Sequence, residues 1–198
     1  MRISHLFDYL SDLFTLSFQI DGGASGAPIY DESTGELVIS GTGDMYDWNS
    51  GTGFLAPWSR YSIIKSVNVE NGVTSIGQHA FDSYGIHKIS SVKLSDSVTK
   101  IGRYAFHDNP TLEEVSISKN LNVIEERAFD GCVKLREINI PESVIDIGVS
   151  AFEDCYSLTE ICLPQNITEI SPQLFRGCNR LKTVRILGVI TSIGPYSF

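Results

Sequence analysis

Phenylalanine recurs along this chain as Phe81, Phe106, Phe129, Phe152, Phe175 and Phe198, at spacings of 25, 23, 23, 23 and 23 residues. A fixed period of this length means one supersecondary unit copied end to end, because a single coil cannot bury its own apolar face and stacked coils can. Six units follow, at 63–87, 88–110, 111–133, 134–156, 157–179 and 180–198. The first holds two extra residues, and the sixth stops at its nineteenth position. Four more columns are apolar in every unit. Position 5 reads Val67, Val92, Val115, Ile138, Ile161, Val184, and position 7 reads Val69, Leu94, Ile117, Ile140, Leu163, Ile186. Position 11 reads Val73, Val98, Leu121, Val144, Ile167, Ile190, and position 14 is isoleucine throughout, from Ile76 to Ile193.

Positions 5 and 7 alternate with polar residues, the two-residue period of a short strand buried on one face. Positions 4, 6 and 8 then point outward. Position 15 is glycine in four units (Gly77, Gly102, Gly148, Gly194), as expected where the chain turns tightly or needs a positive φ. The predicted fold is a solenoid of short parallel strands with irregular or short-helical return segments. Its last coil should leave Ile186, Ile190, Ile193 and Phe198 partly exposed. That open end reads as a truncated array, or as a surface for self-association.

Ahead of the repeats the composition changes. Residues 21–62 are rich in glycine, aspartate and aromatics, and "IY-DESTGE-LVIS" reads as a hairpin. This β-rich segment is expected to cap the solenoid, with Trp48 and Trp58 packed on the first coil. Aromatic packing is favoured there over a binding patch of Tyr46, Trp48, Phe54 and Trp58. Residues 1–20 read either as an amphipathic helix, with Leu6, Leu10, Leu13 and Phe14 on one face, or as a weak signal sequence interrupted by Asp8 and Asp12. No apolar run reaches the length of a membrane span. Net charge is −9, which gives little to phosphate neutralisation and argues against nucleic acid.

The repeats "LREINIPESVIDIGVSAFEDC" (135–155) and "LTEICLPQNITEISPQLFRGC" (158–178) match the leucine-rich pattern L-x-x-[VI]-x-[IL]. They resemble the 23-residue repeat of the BspA-like leucine-rich repeat family. The resemblance covers 63–198. It extends to "TGELVISGTGDMYDW" (34–48) and "PW" (57–58), which are similar to the module that precedes such repeats. The resemblance implies a leucine-rich repeat solenoid on a surface or secreted protein of host-associated bacteria or mucosal protozoa, active in adhesion to matrix proteins or host cells. It implies no enzyme activity and no cofactor. The alternatives are a structural spacer or fragment without its own ligand, and an intracellular, cytoplasmic repeat protein.

The residues themselves assemble no catalytic constellation. Cys132, Cys155 and Cys178 share position 22 and read as a buried column of thiols, while Cys162, at position 6, should face outward. No Cys or His spacing suits zinc. His5, His79, His87 and His107 share no column, and no G-x-S-x-G elbow is present. Asp44 and Asp47 fall short of a calcium loop. "NIT" (166–168) is formally a glycosylation sequon, explained by the repeat itself.

What remains is the outward face of the strands, the usual binding surface of a solenoid. Glu114, Glu137 and Glu160 occupy position 4 of three consecutive units, and Asn68, Lys93, Asn139 and Arg185 lie in position 6. Stacked glutamates repel one another. They read either as a solvated face relieved by Arg136 and Arg185, or as a docking stripe for a basic protein partner.

Overall fold

The computed structural model describes residues 28–48, 55–61, 63–82 and 88–198. The helix or signal expected over 1–20 lies outside these residues, as does Phe54.

Every coil but the fourth contributes a strand to a first sheet, and each coil contributes a strand, shorter in most coils, to a second. The cap supplies β1 (Ile29–Asp31), β2 (Glu36–Ile39) and β3 (Gly43–Asp44). Coil 1 (63–87) supplies β4 (Ser66–Val69) and β5 (Val73–Ile76), and coil 2 (88–110) supplies β6 (Ser91–Leu94) and β7 (Lys100–Ile101). Coil 3 (111–133) gives β8 (Glu114–Ser116) and β9 (Val123–Ile124), and coil 4 (134–156) gives β10 (Asp146–Ile147). Coil 5 (157–179) gives β11 (Glu160–Leu163) and β12 (Glu169–Ile170), and coil 6 (180–198) gives β13 (Thr183–Ile186) and β14 (Ser192–Ile193). The first sheet runs β1-β2-β4-β6-β8 and the second β3-β5-β7-β9-β10, with β11-β13 and β12-β14 continuing beyond them.

Pairing is parallel and joins equal repeat positions. Val67 faces Val92, Val92 faces Val115, and Ile161 faces Val184. Every apolar column is therefore continuous through the stack. The hairpin β1–β2 is antiparallel, but β2 then pairs in parallel with β4, setting Leu37 beside Val67 and Ile39 beside Val69. Residues 36–48 thus run as one more coil ahead of the first repeat. Asp44 accepts a hydrogen bond from the Thr74 hydroxyl, and Asp47 accepts one from the Gln78 N–H. Both carboxylates staple this leading coil to coil 1.

The first sheet is interrupted at coil 4, where residues 135–140 form no strand although Leu135 and Ile138 are buried as expected. In coil 2 the position-8 residue Ser95 donates its N–H to Val69 of the coil before, and in coil 6 Leu187 donates to Leu163. Position 8 is Pro141 in coil 4 and Pro164 in coil 5. Proline has no N–H to give, so that bond is lost at both seams flanking residues 135–140.

The phenylalanines form one aromatic column. Ring centroids are 5.3 Å apart from Phe81 to Phe106 and from Phe106 to Phe129, 5.6 Å from Phe129 to Phe152 and 6.1 Å from Phe152 to Phe175. Trp58 heads the column, stacked 5.2 Å from Phe81 with its indole N–H on the Ala80 carbonyl. Trp48 packs edge-on against Trp58 at 6.0 Å. At the other end Phe198 packs tilted against Phe175 at 5.7 Å but is 63% exposed. Ile186 and Ile193 in the same coil are also exposed, and Ile190 is half-buried.

Two expectations about the backbone are corrected. The position-15 glycines do not have positive φ. They are required by close approach: a Cβ on Gly102 would lie 2.7 Å from the Ile76 carbonyl oxygen, and one on Gly148 would lie 2.5 Å from the Glu126 nitrogen. The left-handed conformation falls two residues later. His79, Tyr104, Arg127, Ser150, Gln173 and Tyr196 all have φ between 53° and 57°. Position 8 is the second correction, because Ser118 and Pro164 are buried rather than outward. The Ser118 hydroxyl accepts from the Asn120 N–H instead of facing solvent.

Candidate protein-binding face

The outward side of the first sheet forms an open hollow of about 1100 Å³, reaching from Glu36 of β2 to Arg180 of coil 6. Parallel pairing in equal register places the side chains here in rows across the strands. The position-4 row contributes Ser66, Ser91, Glu114 and Glu137, and the position-6 row contributes Asn68, Lys93, Ser116 and Asn139. Five of the seven residues expected to form a binding face therefore line one hollow: Asn68, Lys93, Glu114, Glu137 and Asn139. Glu160 is exposed on β11 beside Thr183 but stands outside the hollow, as does Arg185 beside Cys162.

Residues of positions 1 and 3 also line it, namely Glu113, Arg136, Ser157, Thr159 and Arg180. The strand period misses them because it begins at position 4, whereas the hollow also takes in residues just ahead of the strands. Their signal in the sequence is the polar character of both columns.

The charges are unevenly satisfied. Glu113 is paired with Lys134 at 3.1 Å. Among the described residues, neither Arg136 nor Arg185 forms an ion pair with Glu114, Glu137 or Glu160, so the row is solvated rather than internally neutralised. No aromatic side chain lines the hollow among the described residues. Tyr46, 41% exposed, and the half-buried Trp48 instead pack edge-on at 5.0 Å in the cap.

No disulfide joins the four cysteines, and three of them are buried. Each thiol donates to a phenylalanine carbonyl of the preceding coil: Cys132 to Phe106 at 3.2 Å, Cys155 to Phe129 at 3.3 Å and Cys178 to Phe152 at 3.1 Å. In coil 2 the same position is Asn109, whose amide donates to Phe81 at 2.7 Å. The column is thus a row of hydrogen-bond donors, which a reading based on apolar thiols alone does not foresee. Burial pushes the Cys132 and Cys155 thiols well up and that of Cys178 to about 12, leaving all three protonated and unreactive. Cys162 is half-buried on β11.

Among the described residues no group of three or more His, Cys, Asp or Glu is arranged to hold a metal ion. Among them, no helix is long and apolar enough to cross a membrane.

A family model for the BspA type leucine rich repeat region matches residues 58–124 and 74–198, with six copies. Among solved structures, a leucine rich cell surface protein from Faecalibacterium prausnitzii is 29% identical with a TM-score of 0.62, over 82% of this chain and 38% of that one. A leucine-rich repeat protein from Bacteroides ovatus is 24% identical with a TM-score of 0.60, over 90% and 41%. The pneumococcal vaccine antigen PcpA is 20% identical with a TM-score of 0.59, over 85% and 38%. The last two likenesses concern the fold alone. The chain spans about two fifths of the length of these proteins. Among curated proteins none matches the sequence.

Proposed function

The chain belongs to the BspA-type leucine-rich repeat family, and from that premise we propose that it is a non-catalytic interaction module, displayed at the cell surface or secreted, that binds a host or cell-surface protein through the hollow of its first sheet. The observation that carries this reading is the hollow of about 1100 Å³, where polar and charged side chains from the cap and from successive coils converge. Rigid stacked strands fix the spacing of those groups, so a partner meets a preorganised surface. The relation to a protein described as a cell surface protein supports the location. The unpaired row of Glu114, Glu137 and Glu160 suits a basic segment of the partner.

The test is retention of purified protein on an immobilised extract of extracellular matrix, comparing the native chain with the triple variant E114K/E137K/E160K. Binding at least tenfold weaker in the variant supports the acidic row, and equal binding removes it from the interface. A second reading is a spacer without its own ligand, favoured by the lack of aromatic anchors in the hollow, since such anchors usually carry interface energy. It is upheld if the native chain is retained no better than one with the hollow's polar residues scrambled.

A further inference from the structure

The residue after each core phenylalanine forms a column along the flank of the solenoid: Asp82, His107, Asp130, Glu153 and Arg176. The three acids in it are nearly buried, with side chains 2%, 8% and 8% exposed. A buried carboxylate needs a cation and hydrogen bonds to be tolerated. Glu153 has Arg176 at 3.0 Å and Arg127 at 3.3 Å, and Asp130 has Arg127 at 2.6 Å with His107 at 3.8 Å. Asp82 is different. Its two partners among the described residues are imidazoles: His79 Nδ1 of its own coil at 2.7 Å and His107 Nδ1 of the next coil at 3.2 Å. Guanidinium stays charged at every working pH, and imidazole does not.

We propose that the seam between coils 1 and 2 is a proton-operated latch. In mildly acidic surroundings the imidazolium of His107 grips Asp82 across the seam, while His79 holds the same carboxylate from its own coil. Above neutrality the hydrogen bonds persist but the charge on His107 goes, the grip slackens, and the cap with coil 1 opens from the array more readily. Coils in a solenoid are coupled through their immediate neighbours, so this seam governs the separation of coil 1 from coil 2.

The surroundings of the latch set its direction. The His79 ring lies flat on Tyr104 at 4.8 Å, and Tyr104 meets His107 edge-on at 5.3 Å. His107 Nε2 faces Asp108 at 3.7 Å and Asp130 at 3.8 Å, with Arg127 on the far side of Asp130. Burial alone disfavours charge on His107. The hydrogen bond to Asp82 and the charges of Asp82, Asp108 and Asp130 outweigh it and hold its pKa above the usual 6.5. A folded-state value raised in this way gives stabilisation that is complete below the unfolded value and is lost as pH rises through the folded one.

Hydrogen exchange tests the latch. The amides of His79 and Phe81 donate to Arg103 and Ala105 across this seam, and those of Ser150 and Phe152 donate to Pro172 and Leu174 across the arginine-supported seam of coils 4 and 5. Between about pH 5.5 and 8.5, and after correction for intrinsic exchange, protection at the first pair should fall several-fold relative to the second as the imidazole charge is lost. In the double variant H79Q/H107Q the difference should vanish. Equal pH response at both seams, or a slope that survives in the double variant, overturns the latch. Should that variant fail to fold, imidazole titration of the native chain by NMR decides: His107 titrating at or below its usual value overturns the proposal, and titration above it that falls in D82N upholds it.

Discussion

Replacing Phe129 by alanine probes the whole architecture. The side chain is fully buried, with Phe106 stacked 5.3 Å away on one face and Phe152 5.6 Å away on the other. Phe→Ala in a core costs about 3–5 kcal/mol. Two ring pairs, each contributing about 0.5–1.5 kcal/mol, place this site near the upper end. Phe198→Ala is the internal control. That ring is 63% exposed and has one ring neighbour, tilted by 31°, so its removal should cost about 1 kcal/mol or less. Urea unfolding followed by two probes reads the difference. Both tryptophans, Trp48 and Trp58, precede coil 1, so fluorescence reports the leading end while far-UV circular dichroism reports every coil. The native chain should give coincident curves. In the Phe129→Ala chain the fluorescence and dichroism transitions should separate, because the array is coupled only through neighbours, and the dichroism midpoint should drop on the order of 2 M. Coincident curves, with a midpoint no lower than that of Phe198→Ala, would refute the idea of one continuous aromatic column.

Substitutions at three further positions address the backbone and the thiols. Gly102→Ala should destabilise by about 2–3 kcal/mol, seen as a lower urea midpoint, because the new methyl meets the Ile76 carbonyl and not a movable side chain; an unchanged midpoint means the coils can spread. Gln173→Asn should raise the thermal midpoint by a few degrees, since Gln173 sits at φ 57° and asparagine tolerates that region better; a lower midpoint rejects the strain argument. Cys155→Val should cost about 0.5–1.5 kcal/mol in chemical denaturation by removing one of the two hydrogen bonds to the Phe129 carbonyl, which keeps that of the Cys132 N–H, while Cys155→Asn, which copies the amide donor of Asn109, should restore part of it. With a thiol reagent on the native chain, Cys162 should react within minutes and the buried three only at the rate of unfolding; rapid labelling of all four counts against the buried column.

The apolar columns were legible in the sequence because each is a large side chain repeated at one position, and burial leaves that signature without ambiguity. Ile76, Ile101, Ile124 and Phe106 all lie in the core for that reason. Backbone geometry was less legible. The left-handed position is filled by His79, Tyr104, Arg127, Ser150, Gln173 and Tyr196, six residues whose chemistry does not advertise positive φ, while the glycines that do advertise it serve close packing instead. The cap was readable as a hairpin from its alternation, but its role as a leading coil was hidden: Leu37 and Ile39 match Val67 and Val69 only once β2 lies beside β4. For the binding face, the strand period identified the rows containing Glu114 and Asn139. It could not show how far the hollow extends, which takes in Arg136 and Arg180 and leaves out Arg185.

The prolines at position 8 have a mechanical consequence. Pro141 and Pro164 leave two adjacent seams without the backbone bond that Ser95 supplies between coils 1 and 2 and Leu187 between coils 5 and 6. Under a load along its length, a stack of coils parts where the fewest bonds share the strain. This array therefore has a compliant middle between two stiffer ends. Tension would stretch the stack around coil 4 first, sparing the cap, and would widen the hollow just where Glu137 and Asn139 stand.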